Sequence, residues 1–266
     1  MIFFLIAMLL VVPLMVIVVR PIVQRRIDDE PQVGRLEVLI GPVLTLAVFL
    51  CSFMGFQTSS AYQTARVNTA NEGVAMEHFF ETAGLAHNDI GRSIQASTVC
   101  YIRSVAAFDW AATVQGDAAP QTDEWSLRID EQLSEATTLP SPILSRMLTS
   151  DTNISTTRFQ RLATVRSSSP TLMVILSVLA VVVGVVLAAI FLLPGLRQGL
   201  VLLLVGSMAF LLCGALFAID QLDDPYVGIV SIQPELIQRV DRDLTRQFQL
   251  ENPTVTLPCD DEGTPV

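Results

Sequence analysis

The sequence predicts an all-α, polytopic integral membrane protein with four transmembrane helices and a helical extramembrane domain between spans two and three. Three observations predict it. The 266-residue chain is 51% hydrophobic, with a mean hydropathy of +0.53, too apolar for an ordinary soluble domain. Its apolar residues gather into four windows, Ile2–Val19, Val38–Phe56, Leu172–Leu193 and Leu200–Ile219. Each approaches the ~20 residues that cross a bilayer core of about 30 Å. The polar sequence between them follows helical spacing, with no run of strand alternation. The chain therefore divides into residues 1–56 (first transmembrane pair with a short Arg-containing loop), 57–171 (helical domain), 172–219 (transmembrane hairpin) and 220–266 (acidic turn, amphipathic helix and loose tail).

The first window has no basic residue before its apolar run and no small-residue cleavage site after it, so it reads as a span rather than a signal peptide. Pro13 within it is tolerable where neighbouring groups satisfy the freed carbonyl. The second window passes into polar sequence after Gly55-Phe56 without a stop signal, and residues 57–71 lack Gly and Pro. One long helix is expected to leave the bilayer here and run to about Ala86. Asn88-Asp89 suits the cap of a helix reaching about Gln115, with Ile90, Ile94, Val99, Ile102, Val105, Ala106 and Trp110 at helical spacing. Gly116 to Pro120 reads as a loop, and Thr122 or Asp123 as the start of a short helix holding Trp125, Leu127, Ile129 and Leu133. After Leu139-Pro140-Ser141-Pro142 a further short helix is expected over Ile143–Leu148, and a segment from Ser155 leads to Pro170. The last two windows are joined by only Pro194 to Gly199, which makes them antiparallel neighbours. Pro234-Glu235 opens an amphipathic helix with Leu236, Ile237, Val240, Leu244 and Phe248 on one side, expected to pack on the 57–171 helices. Beyond Asn252-Pro253 the polar tail reads as extended or loose.

The formal charge is −10, and all 16 basic residues are Arg. An acidic chain without a basic patch argues against a nucleic-acid partner. Arg20, Arg25, Arg26, Arg35 and Arg197 flank the spans in the two short loops and place those loops in the cytoplasm. This favours an outward-facing extramembrane domain in a multi-pass cell-membrane protein. Arg158, Arg161 and Arg166, just before span three, pull the other way. Cys51 and Cys213 lie within spans, whereas Cys100 and Cys259 share the polar side, where they form either a disulfide, if that side is oxidising, or two free thiols. No Cys spacing suits zinc.

Three stretches carry a family resemblance. They are Tyr101-Ile102-Arg103-Ser104-Val105-Ala106-Ala107-Phe108-Asp109-Trp110, then Arg158-Phe159-Gln160-Arg161-Leu162 leading to Pro170, and Leu222-Asp223-Asp224-Pro225-Tyr226-Val227-Gly228. In this order, between two pairs of spans, they resemble a bacterial family called bestrophin-like and, more distantly, the bestrophin anion channels, over about residues 35–245. The resemblance implies a pentameric channel with the second span lining the pore. It also implies a cytoplasmic insert, against the Arg count. The calcium-binding acidic run of bestrophins is not matched, because Ile229-Val230-Ser231-Ile232 follow the turn.

Phe49, Phe53 and Phe56 fall at i, i+4 and i+7 on span two, and Ser60, Thr64 and Val67 continue that face. On the axis of an oligomer these rings suit a hydrophobic constriction that gates by dewetting; elsewhere the same rings serve helix packing or lipid contact. Asp220, Asp223 and Asp224 read either as a cation site or as a solvated helix exit. Glu77, His78 and Glu81 share a helical turn but lack the paired Glu-x-x-His motifs of a carboxylate-bridged metal site, so no metal and no cofactor is expected. Nucleophile elbows, phosphate-binding glycine loops and zinc-protease motifs are missing, which argues against an enzyme. Trp110, Trp125 and Tyr101 are expected in the core of the insert, and Arg158 and Arg161 to pair with Asp109 or the acids of 123–131. The expected partners are the lipid bilayer and either other membrane-protein subunits or copies of the chain itself. Two functions follow: an accessory or scaffold subunit of a larger membrane assembly, which the missing catalytic and intramembrane charged groups favour, or an oligomeric ion channel.

Overall fold

A computed structural model describes residues 14–19, 21–22, 38, 40–164, 171–191 and 197–266. Most of the first apolar window, with Pro13, Arg20, Arg25, Arg26, Arg35, Arg166 and the 192–196 link, lies outside the described residues. Among the described residues, eight α-helices follow a π-helical turn at Met15–Val19: α1 (Ile40–Gly84), α2 (Asp89–Ser104), α3 (Trp110–Gln115), α4 (Pro120–Glu135), α5 (Ser141–Ala163), α6 (Thr171–Phe191), α7 (Gln198–Asp223) and α8 (Glu235–Glu251). No strand occurs among the described residues; Cys259 and Pro265 form one isolated bridge. Three of these helices are long and apolar enough to cross a membrane, Ile40–Gly84, Thr171–Ile190 and Gly199–Asp223. The fourth expected span is the window that is mostly undescribed.

The chain forms two compact units, residues 1–61 with 167–223 and residues 62–166 with 224–266. α1 contributes to both, because its 45 residues contain no break between apolar and polar sequence. In the first unit α6 and α7 pack together through Val181, Val185, Ala188 and Ala189 against Val201, Val205, Ala209 and Cys213, and Ala47, Cys51 and Met54 of α1 join the same cluster. Small residues set the spacing, since a side chain on Gly184 would come within 2.9 Å of the Leu44 tip. Polar groups are satisfied locally: Thr58 donates to the Met54 carbonyl at 3.0 Å, and Ser177 to the Met54 sulfur at 3.0 Å.

The second unit is built on Met76, Phe79 and Phe80 of α1, Ile94 and Ile102 of α2, Trp125 of α4, Met147 of α5, and Ile237, Leu244 and Phe248 of α8. α8 packs on α2 with its apolar side buried. Trp125, Ile129 and Leu133 point inward, while Leu127 is exposed.

The helix capped by Asn88, which accepts from the Gly91 amide at 2.8 Å, runs from Asp89 to Gln115 as expected, with a π-turn at Val105–Asp109 separating α2 from α3. Three expectations are corrected. α4 starts at Pro120 rather than Thr122 or Asp123, because Pro fits the first helical position, where no amide donor is needed. The expected short helix over 143–148 is one helix to Ala163. The residues between Leu148 and Ser155 stay helical, and Thr149, Thr152 and Thr156 donate back to the carbonyls of Ser145, Leu148 and Thr152 at 2.7–2.9 Å without breaking the helix. The tail is not loose. Asp260 Oδ1 accepts from the Glu262 and Thr264 amides at 3.0 and 2.7 Å, and Gly263 is buried.

Candidate functional site

Along α1, Ala47, Cys51, Met54 and Thr58 are buried, and Phe49, Phe53 and Phe56 are 64%, 40% and 73% exposed. Ser60 continues the exposed side. The three rings and Ser60 thus share a face of α1 that is exposed among the described residues. Past Tyr62, in the second unit, Val67 and Val74 are exposed on the same helix, while Ala65, Thr69, Glu72 and Met76 are buried. An exposed apolar face on a membrane helix faces lipid, another subunit or an aqueous path.

Glu72, Asp109 and Arg161, the fully buried charged residues among the described residues of the second unit, form one cluster with the largely buried Arg158. Arg161, with no exposed surface, donates from Nε to Glu72 Oε2 at 2.6 Å, from Nη2 to Asp109 Oδ2 at 2.5 Å, and to the Thr113 hydroxyl. Arg158 grips Asp109 with two bonds, at 3.0 and 2.7 Å, and reaches Asp123 at 2.7 Å. The Ala119 amide adds a bond to Asp109 at 2.8 Å. The Arg161 guanidinium lies 5.5 Å from the Trp110 ring, and Trp110 meets Tyr226 edge to face at 5.5 Å. Planar guanidinium forks suit such paired, bidentate contacts. The π-turn residue Asp109 is the hub, accepting from both arginines.

Burial acts to raise the Asp109 carboxyl, but the Arg158 bonds and the two guanidinium charges outweigh it and hold Asp109 below the ordinary carboxylate range. At Glu72, which lies beyond the apolar part of α1, burial prevails over Arg161 and pushes the carboxyl up. Burial and the neighbouring Asp130 raise Asp151 to about 6.

The pairing of Arg158 and Arg161 with Asp109 was legible in the sequence, but Glu72 and Thr113 were not singled out. The one signal for Glu72 was an acid at helical spacing with Thr69, Met76 and Phe79, on a side of α1 otherwise apolar. Asp220 is exposed, Asp223 half-buried and Asp224 exposed. Among the described residues no group of three or more His, Cys, Asp or Glu is arranged to hold a metal ion. Cys100 and Cys259 are joined in a disulfide with their Cα atoms 5.8 Å apart.

Apolar membrane-length helices and a helical polar unit centred on an Arg–carboxylate hub define an all-helical membrane protein. The bestrophin-like domain pattern matches residues 6–237. The chain belongs to the bestrophin-like family. Crystal structures of a bacterial bestrophin homologue from Klebsiella pneumoniae share its fold. One variant of that protein is 13% identical, with a TM-score of 0.73 over 92% of this chain and 98% of that one. A second is 16% identical, with a TM-score of 0.70 over 92% and 96%. No curated protein sequence matches.

Proposed function

We propose that the chain is one subunit of a self-assembled ion channel in the cell membrane, with the exposed Phe49–Phe53–Phe56–Ser60 face of α1 turned to the symmetry axis. The carrying observation is that these rings lie uncovered on a helix whose other side is packed. α6 and α7 present apolar side chains of their own to lipid, including Leu172 and Ile175 on α6 and Leu203, Phe210 and Leu211 on α7. Rings at a narrow axis repel water, so ions cross only when the constriction wets. Closed symmetry gives every subunit the same environment and turns one stripe into a ring.

Family membership supports this reading over the accessory or scaffold subunit that the sequence alone favoured. The test is ion flux into liposomes together with the oligomeric state in detergent. We expect a homo-oligomer that conducts, and a Phe53→Ala variant that conducts faster. A strictly monomeric protein, or silent liposomes, overturns the proposal. Co-purification with a fixed stoichiometric partner would return the docking role to first place.

The Arg distribution and the buried Cys100–Cys259 bond support an orientation with the second unit on the outer, oxidising side. A membrane-impermeant maleimide applied to intact cells after reduction should then label these cysteines. Labelling only after lysis would place the unit inside.

A further inference from the structure

The last segment of the chain is held on α2 by a set of contacts that have no part in the proposed ion path. Cys259 is bonded to Cys100, in the penultimate turn of α2. Four residues further on, the Gly263 carbonyl accepts from Trp125 Nε1 at 2.6 Å. Gly263 has φ +85, and a Cβ there would lie 2.5 Å from the Ser104 amide and 2.7 Å from the Cys100 carbonyl, so only glycine fits this seat. Arg103 closes the outer side, donating to the Asp260 carbonyl at 2.8 Å and pairing with Asp261 at 3.6 Å. Apart from the Trp125 bond, which comes from α4, these contacts fall on the end of α2, directly before the π-turn that delivers Asp109 to the buried charge cluster.

We propose that residues 253–266 form a redox-controlled clasp, seated on α2 when Cys100 and Cys259 are oxidised and released when they are reduced. Without the covalent bond, the apolar contact that holds the segment is mainly the partly buried Leu257. Asp261 and Glu262 are exposed, Pro265 is half-buried and Val266 is 91% exposed, and a segment with so few buried apolar contacts opens easily. Release uncovers the Trp125 indole and removes the contacts at Ser104 that brace the start of the π-turn.

The chemistry needs a dithiol reductant. Its thiolate attacks Sγ of Cys259, the less buried residue of the pair, at 6% exposure against 0% for Cys100. The Cys100 thiolate leaves and a mixed disulfide forms. The second thiol of the reductant then displaces the Cys259 thiolate. Two electrons pass from the reductant, which ends as a cyclic disulfide, and its two protons reside on the two cysteine thiols. Momentary fraying of the tail gives access to the buried bond.

The test uses the full chain, purified in detergent without reductant, compared with the same preparation treated with dithiothreitol and alkylated under native conditions. Amide exchange over 253–266 should accelerate about tenfold or more on reduction, exchange over 104–115 should rise less, and the tryptophan fluorescence should shift. A Cys259→Ser variant should match the reduced protein and ignore dithiothreitol. The treated wild type decides the matter even where that variant fails to fold, because it is reduced after folding. Unchanged protection of 253–266 after complete alkylation of both cysteines would overturn the clasp. So would finding both thiols free in the untreated protein. Neither result depends on whether the protein conducts ions.

Discussion

At the scale of single residues, Arg161 carries the largest energetic consequence. Its guanidinium is buried with no exposed surface and serves Glu72, Asp109 and Thr113 together. Arg161→Met should leave two carboxylates short of a partner, and removing one member of a buried ion cluster costs about 3–5 kcal/mol. Thermal unfolding in detergent measures it. Arg128, which pairs with Glu124 at 2.8 Å and lies over Trp125 on a partly exposed surface, should cost about 1 kcal/mol or less when changed to Ala. The carboxylates give opposite signs with pH. Asp109 has a depressed folded pKa, so its stabilisation is complete above its ordinary value of 3.8 and disappears as pH falls through the folded value. Asp151 is raised from 3.8 to about 6, so the folded state binds the extra proton within that window and loses stability as pH rises through it. Asp151→Asn should therefore be more stable than the parent above pH 6 and equal to it below 3.8, read from denaturation at both ends.

At the scale of elements, the π-turn between α2 and α3 is the departure from regularity that matters. The Trp110 amide reaches back to the Val105 carbonyl, one residue further than in an α-helix, and the widened turn presents Asp109 to two arginines. Within the first unit, α1 and α6 approach through Gly184. Gly184→Val should force the Leu44 side chain aside and cost about 1–3 kcal/mol, measured as a fall in unfolding temperature in detergent. In the second unit, Gly263→Ala meets both a left-handed backbone and the α2 backbone at 2.5 Å. It should loosen the C-terminal segment selectively, visible as faster amide exchange over 253–266 while α1 keeps its protection. Helix boundaries were read least well in α5. The short helix expected over Ile143–Leu148 runs on to Ala163, and along it Thr149, Thr152 and Thr156 bond back to i−4 carbonyls and leave the helix intact.

At the scale of the whole molecule, the Cys100–Cys259 bond spans 159 residues of sequence, α6 and α7 among them, so in the chain-entropy view it ties together the two polar stretches on either side of that hairpin. Reduction should destabilise the second unit by about 2–5 kcal/mol, seen as a lower melting temperature with dithiothreitol. The sequence by itself determined the membrane class, the helical character throughout and the family, since hydropathy windows, helical spacing and the order of three short motifs are all properties of nearby residues. It also placed Trp110, Trp125 and Tyr101 in a core and offered Asp109 or the acids of 123–131 as partners for Arg158 and Arg161. Only the tertiary structure decided that Glu72 joins Asp109 around Arg161, 89 residues away in sequence. Only the tertiary structure seated the polar tail against Trp125 and Gly263, and only it chose the bonded form of the two polar-side cysteines over free thiols. The physical reason is the same in each case. A partner distant along the chain leaves no local period to read, and a polar residue declares itself buried only once the groups that satisfy it have been brought to it.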